Sequence, residues 1–226
     1  MQRASVLRGA LQSGRTLVHS QRFASAGAEK FPIYEMRTYN IVPAHYPAFL
    51  KLTAEKIHMR TSHSPLLGYW TSELGGLNEV IHIWGYQSLV QRQKVRNALG
   101  TDNKWSDEYM ARMRPMIQSQ ENIIMVPESE NIIESFPASD EVDLPAYELE
   151  VLLSTEQFGN ENRTSLGGQL VGQWKGVVGN LNGSTVQLWR YPTLDHVDTV
   201  LRSPKGMMES QQLNKILLPT SFSSLY

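Results

Sequence analysis

Apolar and polar residues alternate with a period of two from Ile33 to Ile41. Tyr34, Met36, Thr38 and Asn40 share one face, and Glu35, Arg37, Tyr39 and Ile41 share the other. That period, with β-branched and aromatic content, predicts a strand with one face toward helices and the other toward a second layer or a cavity. Pro43 suits the first turn of a helix. Tyr46, Phe49, Leu50, Thr53 and Ile57 then recur at helical spacing, opposite Lys51, Glu55 and His58. Residues 66–73 and Glu79–Tyr86 read as strands joined by Leu74-Gly75-Gly76-Leu77-Asn78, a hairpin turn whose glycines can take positive φ. Ser88 is a candidate N-cap for a helix to about Leu99. A further helix is predicted over 102–116, and Ile123-Ile124-Met125-Val126 forms a last strand stopped by Pro127.

Much of this pattern occurs twice. Gly68-Tyr69-Trp70, Leu77-Asn78 and Trp84-Gly85-Tyr86 are answered by Gly172-Gln173-Trp174, Leu181-Asn182 and Trp189-Arg190-Tyr191. Tyr34-Glu35-Met36-Arg37 is answered by Tyr147-Glu148-Leu149-Glu150. Both Trp-to-Asn intervals are eight positions. The first copy reads β-α-β-β-α-β, the ferredoxin-like order, so the fold class is α+β with two tandem modules. Such an open sheet buries one face under its helices, and a second copy can cover the other face by closing a barrel-like body. Tyr34 to Gly68 spans 34 positions but Tyr147 to Gly172 only 25, so the second module is shortened in its helices.

The expected division is 1–28, a mitochondrial transit peptide; 29–127, module one; 128–145, an acidic linker; and 146–226, module two. Residues 1–28 contain Arg3, Arg8, Arg15 and Arg22, several serines and no acid, the composition of a mitochondrial leader. Arg22-Phe23-Ala24-Ser25 resembles a processing site, with cleavage near Ala24 and a matrix location. Removing four arginines takes the net charge from −1 to −5, which does not suit nucleic-acid binding. The linker carries only acidic charge and three prolines when Pro127 is included, as solvated connectors do. The absence of cysteine excludes disulfides and thiolate chemistry. No apolar run is long enough for a transmembrane helix.

Candidate chemistry is sparse. No phosphate-binding loop, zinc-protease or nucleophile-elbow motif occurs. His82 lies on a strand with Val80 and Trp84 on its face. It reads either as a base or metal ligand in a cavity between the sheets, or as a neutral core histidine; no second ligand is fixed by the sequence, which favours the latter. Glu35, Arg37 and Tyr39 share a strand face and can join His82 and Tyr69 as a polar cavity wall, or form an ion pair with aromatic packing. Trp70, Trp84, Trp174 and Trp189 are expected to pack the core. No catalytic residue, metal or cofactor is assigned.

The strand Tyr34-Glu35-Met36-Arg37-Thr38-Tyr39, the block from Arg60 to Trp70 and Val80-Ile81-His82-Ile83-Trp84 resemble the NIPSNAP family. The ending Leu218-Pro219-Thr220-Ser221-Phe222-Ser223 is similar to the family's third homologue branch. The resemblance covers about residues 33–226. It implies a dimeric α/β-barrel fold and a mitochondrial setting. It also implies a non-enzymatic adaptor role tied to vesicle trafficking or mitophagy, with autophagy or trafficking adaptors as protein partners. It supplies no catalytic residues, and homo-oligomers are an expected assembly. The alternative function is a small-molecule binder or enzyme using the space between the sheets.

Overall fold

The computed structural model describes residues 31–128, 132–133, 136, 144–153, 160–203 and 211–225. The expected leader, residues 1–28, and the expected cleavage near Ala24 lie outside the described residues. Eight strands form one closed barrel: β1 (Ile33–Ile41), β2 (Leu66–Leu74), β3 (Glu79–Tyr86), β4 (Ile117–Pro127), β5 (Ala146–Leu152), β6 (Gln169–Val178), β7 (Thr185–Tyr191) and β8 (Gln211–Pro219). The order around the barrel is β1-β3-β2-β8-β5-β7-β6-β4, with every neighbouring pair antiparallel. The first four strands run β4-β1-β3-β2, and the last four repeat that order as β8-β5-β7-β6. The halves meet where β2 pairs with β8 and β4 with β6, so neither sheet keeps a free edge.

The repeated tryptophans divide between two layers. Trp70 and Trp174 point into the barrel, where the Tyr34 ring packs on Trp174 at 5.7 Å and the Tyr147 ring on Trp70 at 5.5 Å. These contacts cross between halves, and apolar residues from all strands complete this core. Trp84 and Trp189 point outward, beneath the helices. The Gly-x-Trp repeat has a steric cause. A Cβ at Gly68 would stand 2.3 Å from the Trp70 indole, and one at Gly172 would stand 2.6 Å from that of Trp174. Each indole lies flat over the residue two before it on the same strand face, a place open only to glycine.

Among the described residues, the first half carries most of the helix. α1 (Tyr46–Thr61) has 16 residues and follows a short 3-10 turn at Pro43–His45. α2 (Leu89–Thr101) has 13 and is capped by Ser88, whose hydroxyl accepts from the Gln91 amide at 3.0 Å. The predicted helix over 102–116 is broken into a π-helical stretch at Trp105–Met110, a short α3 (Ala111–Met113) and a 3-10 turn at Arg114–Met116. In the second half, α4 (Asn160–Ser165) has six residues and α5 (Leu194–Arg202) nine. The hairpin after β2 takes positive φ at Gly75 and Asn78 rather than at both glycines.

The linker is not wholly solvated. Ile132, Ile133 and Phe136 pack against the barrel core, and the Ile133 amide donates to the Val171 carbonyl at 2.8 Å. Apolar side chains in the acidic run supply this anchor, which its charge alone conceals.

Candidate functional site

Glu35, Arg37, Tyr39, Tyr69 and His82 converge, but not between the sheets. They face outward and line a cavity of about 410 Å³ under α1, α2 and the Trp105–Met110 stretch. The inter-sheet placement is therefore corrected. The barrel interior has taken the apolar face of β1, with Tyr34 and Met36, and the polar face is left to the helices. A smaller cavity, about 270 Å³, opens at one end of the barrel beside the buried Glu79–Lys215 ion pair and contains none of the five.

Glu35 is the hub. It is 1% exposed and accepts from Arg92 through Nε (2.9 Å) and Nη2 (2.6 Å), from Arg37 Nη1 (3.1 Å) and from Asn122 Nδ2 (2.8 Å). The Tyr86 hydroxyl donates to it at 3.3 Å. Burial pushes the carboxyl pKa up, but the Arg92 hydrogen bonds and the charges of Arg37 and Arg92 outweigh it and hold the group below its ordinary value. Arg37 reaches on to Gln120, and its guanidinium lies 5.3 Å from the Tyr39 ring.

His82 is 4% exposed. Tyr69 stacks on its ring at 4.7 Å with the planes 1° apart, and Tyr39 meets it edge-on at 4.9 Å. The Trp84 indole donates to His82 Nδ1. An indole nitrogen can only donate, so Nδ1 carries no proton and the neutral ring holds its hydrogen on Nε2. That Nε2–H has no hydrogen-bond partner among the described residues. Burial first, then the charges of Arg37 and Arg60, push the imidazole pKa well below its ordinary value. The Tyr69 hydroxyl is buried beside Thr53, and burial pushes its pKa well up. Its ring is pinned by the C-terminal segment: Phe222 meets it edge-on at 5.0 Å, and Ser223 Oγ accepts from the Tyr69 amide at 2.9 Å.

Sequence reasoning missed Arg60, Tyr86, Arg92 and Asn122. Arg60 sits at the end of α1, on the stripe of Phe49 and Thr53, and lies 4.1 Å from the Trp84 ring. Its Nη2 donates to the Tyr86 hydroxyl at 2.6 Å, and Nη1 donates to Ser64. An arginine on the apolar stripe of a helix was the available signal. No signal tied Arg92 to Glu35 across 57 positions.

The second half repeats the frame with other side chains. Glu148 accepts from Arg163 Nε (3.2 Å), the Tyr191 hydroxyl (2.8 Å) and Asn214 Nδ2 (2.8 Å). Gln187 Oε1 takes the Trp189 indole hydrogen at 3.1 Å, the duty His82 performs for Trp84. Arg163 of α4 also pairs with Glu150 and lies 5.7 Å from the Trp189 ring. The outlying histidines are elsewhere: His45, His58 and His196 are exposed and His63 is half-buried. Among the described residues, no group of three or more metal-ligating side chains gathers, and no helix is long and apolar enough to cross a membrane.

The NIPSNAP family model matches residues 34–130. NipSnap homolog 3A of Homo sapiens is 32% identical over 214 residues, covering 85% of this chain and 85% of its own length. A NIPSNAP domain protein from Burkholderia xenovorans is 32% identical over 44% of this chain and 97% of its own, with a TM-score of 0.42. A solved anthrone oxidase-like protein shares only 9% identity but covers 85% of this chain and 92% of its own, with a TM-score of 0.52, a likeness of fold alone. With such identity along so much of its length to a NipSnap homolog, the chain belongs to the NIPSNAP family.

Proposed function

We propose that this chain binds a small molecule in the cavity beneath the helical layer of its first half. The observation that carries the reading is His82, a buried imidazole whose Nε2–H is fixed by Trp84 and has no acceptor among the described residues. An unmade hydrogen bond of a buried donor costs about 1–3 kcal/mol. Tyr69 stacks on that ring and brings a buried hydroxyl to the same cavity. A cavity of about 410 Å³ with aromatic walls and a few convergent polar groups has the character of a ligand site. The set offers hydrogen-bond donors and positive charge, which supports binding rather than a named reaction. A screen of small aromatic compounds by ¹H–¹⁵N NMR on the full chain tests this. The expected result is saturable movement of the Trp84 indole signal while those of Trp70 and Trp174 stay in place. A screen in which no compound moves Trp84 counts against the reading.

A second reading is a mitochondrial adaptor role in quality control or trafficking. Family membership and the acid-free, arginine-bearing residues 1–28 support it. N-terminal sequencing of the protein isolated from mitochondria, finding a start near Ser25, agrees with it; an intact Met1 does not. We read the two halves as tandem ferredoxin-like modules over 29–127 and 146–226, the second shortened, a reading supported by their common strand order.

A further inference from the structure

Arg60 and Arg163 occupy matching places. Each comes from the helix between the first and second strands of its half, and each guanidinium lies on the matching tryptophan, Trp84 or Trp189. In the second half, Glu148 and Glu150 give Arg163 two carboxylates. In the first half, the counterpart of Glu150 is Arg37: Arg37 is paired in register with His82, and Glu150 with Gln187. The counterpart of Glu148 is Glu35, which is engaged by Arg92 and Arg37. Arg60 is thus 9% exposed with neutral hydroxyls as its hydrogen-bond partners and no carboxylate at ion-pair distance among the described residues.

The cavity in front of it shares this imbalance. Its lining holds Arg37, Arg60, Arg96 and Arg114 against one carboxylate, Glu35. A buried cation needs a paired anion, and the low dielectric strengthens that pairing. The neutral Nε2–H of His82 is a further donor on the same wall, and it does not accept while Nδ1 is held by Trp84. Trp105 and Tyr109, their ring centroids 4.6 Å apart, line the same cavity as Tyr69 and Trp84.

We infer that the first-half cavity takes a small planar organic anion. Its oxyanion lies against the guanidinium of Arg60 and the Nε2–H of His82, and its ring lies among Tyr69, Trp84, Trp105 and Tyr109. The inference rests on the small-molecule reading above and narrows it to one charge and shape. The second half shows the same arginine position satisfied from within the chain, so the prediction is for one site rather than two.

The test is a charge series on one ring: 2-naphthoate, neutral 2-naphthamide and a 2-naphthyl-trimethylammonium cation, titrated into the full chain by calorimetry. The expected order is acid over amide by about tenfold or more, with the cation weakest, as charge-assisted hydrogen bonds are about twice as strong as neutral ones. The double variant Arg96→Gln/Arg114→Gln removes two exposed charges of the lining without touching the buried network. It is expected to weaken 2-naphthoate about tenfold and to leave 2-naphthamide unchanged. Arg60→Gln is expected to lose acid binding, with folding checked by its circular dichroism. Equal affinity for acid and amide, or a preference for the cation, overturns the anion inference and leaves the cavity reading standing. If no member binds, both fall. Stoichiometry of two, or an unchanged acid affinity in the double variant, also contradicts the assignment.

Discussion

The indole nitrogen of Trp84 and the Nδ1 of His82 are 2.5 Å apart, two positions along the same strand. This one bond sets the tautomer of the imidazole and so decides what the cavity can offer. Gln187 and Trp189 make the same bond at 3.1 Å in the second half, which shows that the frame requires an acceptor there but not a histidine.

His82→Gln therefore keeps an acceptor for Trp84 and is expected to cost about 1 kcal/mol, mostly lost stacking with Tyr69. His82→Phe leaves the indole N–H buried without a partner and is expected to cost about 1–3 kcal/mol more. Urea unfolding of both variants measures the difference. Equal losses would remove the acceptor role.

Protonation of His82 puts a second donor against the Trp84 indole, which adds to the cost of burial. The folded pKa lies well below the ordinary value of 6.5, so the unfolded chain binds this proton first as pH falls. Stability is full above about 6.5 and is lost below it, at up to about 1.4 kcal/mol per pH unit for one proton. Glu35 acts in a lower window. Its folded pKa is below the ordinary 4.5, so its contribution is present above that value and is lost as pH falls through the folded pKa. Denaturant titrations at pH 7.5 and 5.5 are expected to show the first loss in the native chain and less of it in His82→Gln. An equal loss in both would assign it elsewhere.

Glu35→Gln leaves Arg37 and Arg92, both largely buried, without their carboxylate. Breaking a buried pair by removing one partner costs about 3–5 kcal/mol. The lower end is expected here, because both arginines keep some contact with water. Thermal unfolding monitored by circular dichroism reads the effect. A loss no larger than that of an exposed substitution contradicts the hub role.

The legible part of this protein was the part set by period and repetition. Alternation along β1 and the doubled Gly-x-Trp were enough to anticipate a barrel-like body with a repeated strand pattern, and the repeat has a cause, because a glycine is the one residue that fits beneath the Trp70 or Trp174 indole. Gly68→Ala and Gly172→Ala are each expected to destabilise by about 1–3 kcal/mol through overpacking. Calorimetric melting of the two variants checks this, and the change should be of similar size in both. The five candidate residues do gather along one cavity, but on the other side of the sheet from the one expected. Alternation assigns residues to faces without saying which face meets helices. Arg92 was hidden because Glu35 lies 57 positions away, Arg60 showed only as an arginine on an apolar helix stripe, and the linker's hold on the barrel was hidden because charge dominated its composition.

Gly100 lines the mouth of the cavity from α2, and a Cβ there meets nothing within 4 Å. Gly100→Leu is expected to stabilise the helix by up to about 1 kcal/mol, since glycine is a poor helix former. It is also expected to weaken ligand binding by narrowing the entrance. Melting temperature and 2-naphthoate affinity, measured on one sample, separate these effects. A stabilised protein with unchanged affinity would move the entrance away from α2.

The central claim is that the Nε2–H of His82 faces a ligand. Long-range ¹H–¹⁵N correlation of the imidazole in the full chain near pH 7.5, followed during titration with 2-naphthoate, reads it directly. The account predicts a neutral ring protonated at Nε2 before titration, and an Nε2 signal that moves and saturates as the acid binds. A ring protonated at Nδ1, or an Nε2 signal that stays fixed while the acid binds, would contradict it.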